Sequence, residues 1–282
     1  FEMRTFTALV SLAVAASAAP SCGQTPVSPN LNNAIVGGKP ATPYSWPFIG
    51  VLCSVGWSGG CSLECSVTVI DNNYVLTAGT CVYSDLNPSS YEVKVAVFQE
   101  DQDTESGEQV LKIKAIHPHP QFDMFTMSYD AAILELSTPI KYTDHVQPIC
   151  LPSDDVTAID AKNSAWIAGW GTQKEGGSVS LQLLQAKVPF VGYDDCDKDY
   201  PQMVINDVMV CAGKKGVDSC QGDAGGPLMV QGASGAWFQV GIDSWGAGCA
   251  EDKEPGIYSR TKAFCDFYKT STGGKVTCQP IA

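Results

Sequence analysis

A chain of 282 residues with twelve cysteines and a formal net charge of −13 is long enough for one large β-rich domain, and more than a small disulfide-stapled module needs. That many cysteines point to an oxidising compartment and several disulfides. The acidic surface disfavours nucleic acid, heparin-like glycans and anionic membranes as partners, and favours basic or neutral ones.

From the amino end, Met3-Arg4 is followed by an apolar run over residues 6–16 and by the small residues Ala16-Ser17-Ala18. This pattern predicts a secretory signal over residues 1–18. The run is too short to span a bilayer, and no other stretch is long enough. Residues 19–34 are rich in Pro, Ser and Asn and carry Cys22, which reads as a short disordered leader. From Ile35 onward, residues 67–70, 91–98, 110–116, 131–136 and 240–242 are β-like runs between Gly, Pro, Asn and Asp turns. Many short strands with such turns predict a barrel or a sandwich. Phe264, Phe267 and Tyr268 fall at helical spacing, so a short C-terminal helix with one aromatic face is expected. The one Asn-x-Ser sequence, Asn87-Pro88-Ser89, is blocked for glycosylation by its proline.

Seven short motifs occur in order between Ile35 and Tyr268. They are Ile35-Val36-Gly37-Gly38, Leu76-Thr77-Ala78-Gly79-Thr80-Cys81, Asp130-Ala131-Ala132-Ile133-Leu134, Gly169-Trp170-Gly171, the stretch from Asp218 through Gly222-Asp223-Ala224-Gly225-Gly226-Pro227, Ser244-Trp245-Gly246, and Pro255-Gly256-Ile257-Tyr258. Each alone is weak, but the ordered set resembles the chymotrypsin/trypsin-like serine protease family. The resemblance implies an all-β fold of two six-stranded antiparallel barrels, a cleft between them, and a domain over residues 35–282. It also implies the disulfides Cys65–Cys81, Cys196–Cys211, Cys220–Cys249 and Cys22–Cys150. A further common pair is replaced by Ala165 and Val230. The remaining cysteines pair most simply as neighbours, Cys53 with Cys61 and Cys265 with Cys278, although sequence alone does not fix connectivity.

The family's triad needs a serine nucleophile, a histidine to take its proton, and an aspartate to hold that histidine. Here Ala224 stands at the serine position and Thr80 at the histidine position, while Asp130 matches the aspartate. A methyl group forms no acyl-enzyme, and a threonine hydroxyl accepts no proton at neutral pH. Thr80 as a substitute nucleophile would need a base beside it. The three histidines, His117, His119 and His145, match no catalytic position and read as loop and surface residues. Asp130 is expected to bond to Thr80, to backbone and to Ser244.

The rest of the resemblance is intact. Gly222 and Ala224 would supply the oxyanion-hole N–H groups, which need no side chain. Asp223 matches the aspartate that pairs with a new N-terminus at Ile35 after cleavage of Ala34–Ile35. Asp218, Ser244, Gly246 and Gly256 match a primary pocket that admits Arg or Lys, a receptor for basic side chains. The stretch from Glu100 to Glu108 resembles a calcium loop but is shorter. Calcium held by Glu100 and Glu108 and a simple solvated acidic turn are both open readings.

These residues point to a secreted, monomeric, non-catalytic homologue that acts by binding proteins: protease inhibitors, proteases or their substrates. The alternative is a trypsin-like endopeptidase with residual or unconventional activity. A lectin-like or glycosaminoglycan-binding defence role is a further reading, its glycosaminoglycan form opposed by the charge, and residues 19–34 are too short and cysteine-poor for a clip domain.

Overall fold

The computed structural model describes residues 22–31, 38–56, 60–99, 105–154 and 164–281. The expected signal segment, Ile35 and Glu100 lie outside them.

Among the described residues, thirteen strands form two barrels. The first is built from β2 (Ile49–Val55), β3 (Cys61–Asp71), β4 (Tyr74–Thr77), β5 (Tyr91–Val95), β6 (Gln109–Pro118) and β7 (Ala132–Leu136). It closes in the order β2-β3-β4-β7-β6-β5. The second uses β8 (Ser164–Gly169), β9 (Leu184–Val191), β10 (Met209–Ala212), β11 (Pro227–Gln231), β12 (Trp237–Trp245) and β13 (Gly256–Arg260). Its ring runs β8-β9-β10-β13-β12-β11 and returns to β8, with the two-residue β1 (Lys39–Pro40) added to β9. All these strand pairs are antiparallel. Closure leaves few free edges to template aggregation.

Side-chain alternation explains why these runs are strands. In β5, Tyr91, Val93 and Val95 are buried, whereas Glu92 and Lys94 face outward. In β6, Leu111 and Ile113 point in between the exposed Lys112 and Lys114. The first core continues between the barrels through Trp46, Phe48 and Trp170, and the second gathers Val188, Leu228, Val240 and Tyr258. Ala165 and Val230, at the positions of the missing disulfide, are buried members of that second core.

A 3₁₀ turn (Thr261–Phe264) leads into helix α2 (Cys265–Ser271), the expected C-terminal helix; α1 (Tyr193–Asp199) precedes it in the chain, after β9. Phe264 and Tyr268 are buried and Phe267 packs beside them. His119 departs from the surface reading: it is only 8% exposed. Its ring stacks on Tyr129 and meets Phe264 and Phe267 at centroid distances of 4.9, 5.1 and 4.7 Å. Burial pushes its pKa down to about 4, so it is a neutral core aromatic. Its place on the segment between β6 and β7, facing α2, is tertiary information.

All six expected disulfides are formed, and no described cysteine is free. The leader is tied to the second barrel by more than Cys22–Cys150. Gly23 donates its N–H to the Pro148 carbonyl at 2.7 Å and accepts from Trp237 N at 2.9 Å. Gly23 has a positive φ of 74° and the Trp237 backbone lies against it, so any side chain there collides.

Of the acidic loop, residues 105–108 are described, and Glu100 lies outside them. Glu105 accepts from Tyr44 OH at 2.7 Å, from Phe98 N at 2.8 Å and from Gln99 N. Glu108 accepts from Glu105 N at 3.0 Å and faces Lys94 at 3.7 Å, with its side chain 1% exposed. The ammonium of Lys94 thus faces the buried Glu108 carboxylate. Among the described residues no three acidic, His or Cys side chains are grouped to hold a metal. Lys94→Met leaves a buried carboxylate unpaired, so we expect a loss of about 2 kcal/mol in urea unfolding. An unchanged midpoint would show that the pair carries no stability.

Candidate functional site

The cleft between the barrels is assembled from four chain segments. Thr80 lies just after β4, Asp130 just before β7, Ala224 in the turn before β11, and Ser244 near the end of β12. Pairing of Thr77 with Ala132 across β4 and β7 brings the first two together. Asp130 is fully buried. It accepts from Thr80 N at 2.8 Å and Thr80 Oγ1 at 3.1 Å, and from Ser244 Oγ at 2.5 Å. The last bond crosses from one barrel to the other. Burial pushes the Asp130 carboxyl up, against the bonds from Ser244 and Thr80 that hold it down. Thr80 therefore gives the buried acid two of its hydrogen bonds. Thr80→Val keeps the shape but removes one bond to this buried carboxylate. Chemical denaturation should show a loss of about 1–2 kcal/mol; no loss would mean that Ser244 and backbone N–H groups suffice.

One local feature escaped the sequence reading. The Phe122 ring packs over Gly79, 3.2 Å from where a Cβ there would sit, and Asp130 Oδ1 is equally close. The signal was visible as the departure of Gly79 from the second alanine of the family's Leu-Thr-Ala-Ala-His-Cys. The histidines lie elsewhere: His117 Nε2 is 3.9 Å from Glu135, and His145 stacks on Tyr44 at 3.9 Å.

The turn carrying Ala224 is held from both sides. Ser66 N donates to Ala224 O at 2.9 Å, Gly225 N to Asp243 O at 2.9 Å, and Gly226 N to Asp223 O at 2.8 Å. The N–H groups of Gly222 and Ala224 make none of these bonds. Gly225 has a φ of 81°, and any side chain there meets Thr77 and the Ser66 carbonyl, so the glycine is required by the close approach of β3 and β4.

Asp218, Gly222, Ala224, Ser244, Gly246 and Gly256 line one cavity of about 190 Å³, with the Cys220–Cys249 disulfide in its wall. A Cβ on Gly256 would come within 2.6 Å of Asp218 Oδ1, so glycine there keeps the acid accessible. Asp218 accepts from Ser219 N at 2.9 Å, and burial pushes it up to about 7. Behind this wall lies a second, smaller cavity of about 70 Å³, lined by Gly38, Gly169, Gly171 and Asp223. The Asp223 carboxylate accepts from Gly171 N at 2.8 Å and Cys220 N at 3.0 Å, and burial pushes it up to about 6.

The comparisons bear on the family. A family model described as Trypsin matches residues 35–268. The chain belongs to the trypsin family. Among curated relatives it is 36% identical over 240 residues to serine proteinase stubble of Drosophila melanogaster. It is 33% identical over 246 residues to the suppressor of tumorigenicity 14 protein homolog of Bos taurus. It is 36% identical over 249 residues to transmembrane protease serine 9 of Rattus norvegicus. These alignments cover 82%, 85% and 86% of the chain but only 30%, 28% and 22% of the relatives. The chain thus matches less than a third of each relative's length. No described helix is long and apolar enough to cross a membrane.

Proposed function

We propose that this trypsin-family chain is catalytically inactive and works by binding, as a receptor for basic side chains presented by protease inhibitors, proteases or their substrates. The carrying observation is the pairing of Thr80 with Asp130 opposite Ala224. The turn offers a methyl group where the family chemistry needs a hydroxyl. The hydroxyls of Thr80 and Ser244 are both bonded to the Asp130 carboxylate, which is far too weak a base to activate an alcohol. The pocket with Asp218 supports binding without chemistry.

The protein is secreted, with residues 1–18 removed and residues 19–34 held by Cys22–Cys150 if the chain is opened at Ala34–Ile35. Six disulfides support this location. In the opened chain Ile35 pairs with Asp223, and Gly222 and Ala224 present their N–H groups to a docked carbonyl.

The test is labelling with a fluorophosphonate after opening at Ala34–Ile35, beside hydrolysis of arginyl and lysyl peptides. Neither adduct nor product is expected. Stoichiometric labelling, or turnover that scales with protein, would make the chain an endopeptidase of unconventional mechanism.

A further inference from the structure

The pocket wall holds a carboxylate that none of the motifs identified. Asp243 lies on β12 between Ile242 and Ser244, at the end of a stretch buried from Trp237 onward, and it is 7% exposed. It lines both cavities, as do Asp218 and Ser219. Ser219 links the two acids: its Oγ donates to Asp243 Oδ1 at 3.0 Å, and its N–H donates to Asp218 Oδ1 at 2.9 Å. Tyr258 OH donates to the same Ser219 Oγ at 3.1 Å.

That wiring fixes what the wall can offer. The one hydroxyl hydrogen of Ser219 goes to Asp243, and one of its lone pairs is taken by Tyr258. Its second lone pair is left as an acceptor. At Ser219 and the two acids the wall therefore presents acceptors, which suits a cation. The surroundings agree in sign. Glu175, Glu251 and Glu254 all approach within 4 Å of the Cβ position of Gly248, another residue of the cavity lining. A concave site lined by one sign of charge concentrates ligands of the other.

We infer that the primary pocket holds its basic ligand side chain between two carboxylates, Asp218 and Asp243, joined through Ser219, so that Asp243 is a second specificity determinant and gives capture a two-step dependence on pH. This rests on the pocket reading above and adds a residue to it. Asp243 faces Asp218 and Asp223 from the segment before β11, Tyr258 from β13, and its own strand neighbour Ser244. Tyr200 stands further out, where both Asp218 and Glu254 act on it. None of the ion pairs found among the described residues involves the three aspartates. Burial and the neighbouring Asp223 and Asp218 hold the Asp243 carboxyl well above the usual range. Two acids in such contact lose their protons as a pair, in two steps. The first ionisation admits a cation, and the second adds to its attraction. Each proton displaced by the ligand passes to the solvent.

The test is fluorescence titration with p-aminobenzamidine from pH 5 to 9, using the full chain opened at Ala34–Ile35. Wild type, Asp243→Asn and Asp243→Val are compared, with p-aminobenzamide as the neutral control probe. Wild-type affinity should rise about tenfold per pH unit up to the titration of Asp218, and then by about tenfold more as the second acid ionises. Both variants should show the first rise only, and the neutral probe no rise. Asp243→Val fills the strand position with an apolar side chain, so one variant remains if Asn disturbs the fold. Superimposable wild-type and variant profiles, with binding intact, would overturn the role of Asp243 and leave the pocket standing. Absence of binding in every form would overturn the pocket reading and this inference together.

Discussion

Thr80→His combined with Ala224→Ser will turn the opened chain into a working arginine- and lysine-directed protease, while either change alone will leave it inactive. The expectation follows from what the fold retains. Asp130 is buried at the hinge of the cleft and already accepts from residue 80 and from Ser244. The Ala224 turn is fixed by bonds from Ser66, Gly225 and Gly226. The pocket with Asp218 is open to that turn. Triad members act as a unit, so one without the others contributes little. Adding the pair should raise hydrolysis of an arginyl amide by about 10³-fold or more over the parent chain. A folded but inactive double variant would show that the cleft has drifted, with the Phe122 ring over Gly79 the first place to look, because an imidazole must pass beside it.

Asp218→Asn will stabilise the intact chain at pH 8 and leave it nearly unchanged at pH 4. The sign follows from proton counts. The Asp218 carboxyl titrates at about 7 in the fold against 3.8 in the open chain. Between these values the folded state binds more protons than the unfolded one, so stability falls as pH rises. The penalty is absent below about pH 4 and complete above about pH 7. It amounts to about 4 kcal/mol at pH 8 for an acid shifted this far. Asp223, raised to about 6 in the same direction, repels Asp218, and Asp218 in turn repels Asp243, so removing the Asp218 charge relieves its neighbours and acts with the same sign. Urea unfolding of wild type and variant at both pH values measures the difference. Equal stability at pH 8 would mean that the acid is already compensated by solvent or a cation. A bound amidine should remove the penalty in wild type, because the ionised form then has its partner.

Much of the fold was legible because its chemistry is local. Turn residues and alternating strands such as Tyr91–Val95 announce a β-barrel, and ordered glycine motifs mark places where backbone must approach backbone. Gly225 against Ser66 and Thr77 is one such place. The proposed substitutions at Thr80 and Ala224 rest on the motifs that surround them in the sequence. What could not be read depends on segments meeting in space. His119 reads as a loop residue until the β6–β7 connection and α2 close over it. The contact of Glu108 with Lys94, which reaches it from the neighbouring strand, is likewise absent from the sequence pattern. Asp243 follows an apolar run and reads as its end, yet β12 continues to Trp245 and carries the acid inside. Only Ser219 and Tyr258, distant in sequence, give it a place in the pocket.

The most direct measurement is p-aminobenzamidine fluorescence at pH 8 on the chain before and after opening at Ala34–Ile35, with Asp218→Asn as control. A receptor that has kept the pocket and lost the chemistry should bind one equivalent saturably in the opened form, and the Asp218→Asn variant should not. No saturable binding in the opened, folded chain would contradict the claim that this cleft captures basic side chains, and would move its function to the outer surface.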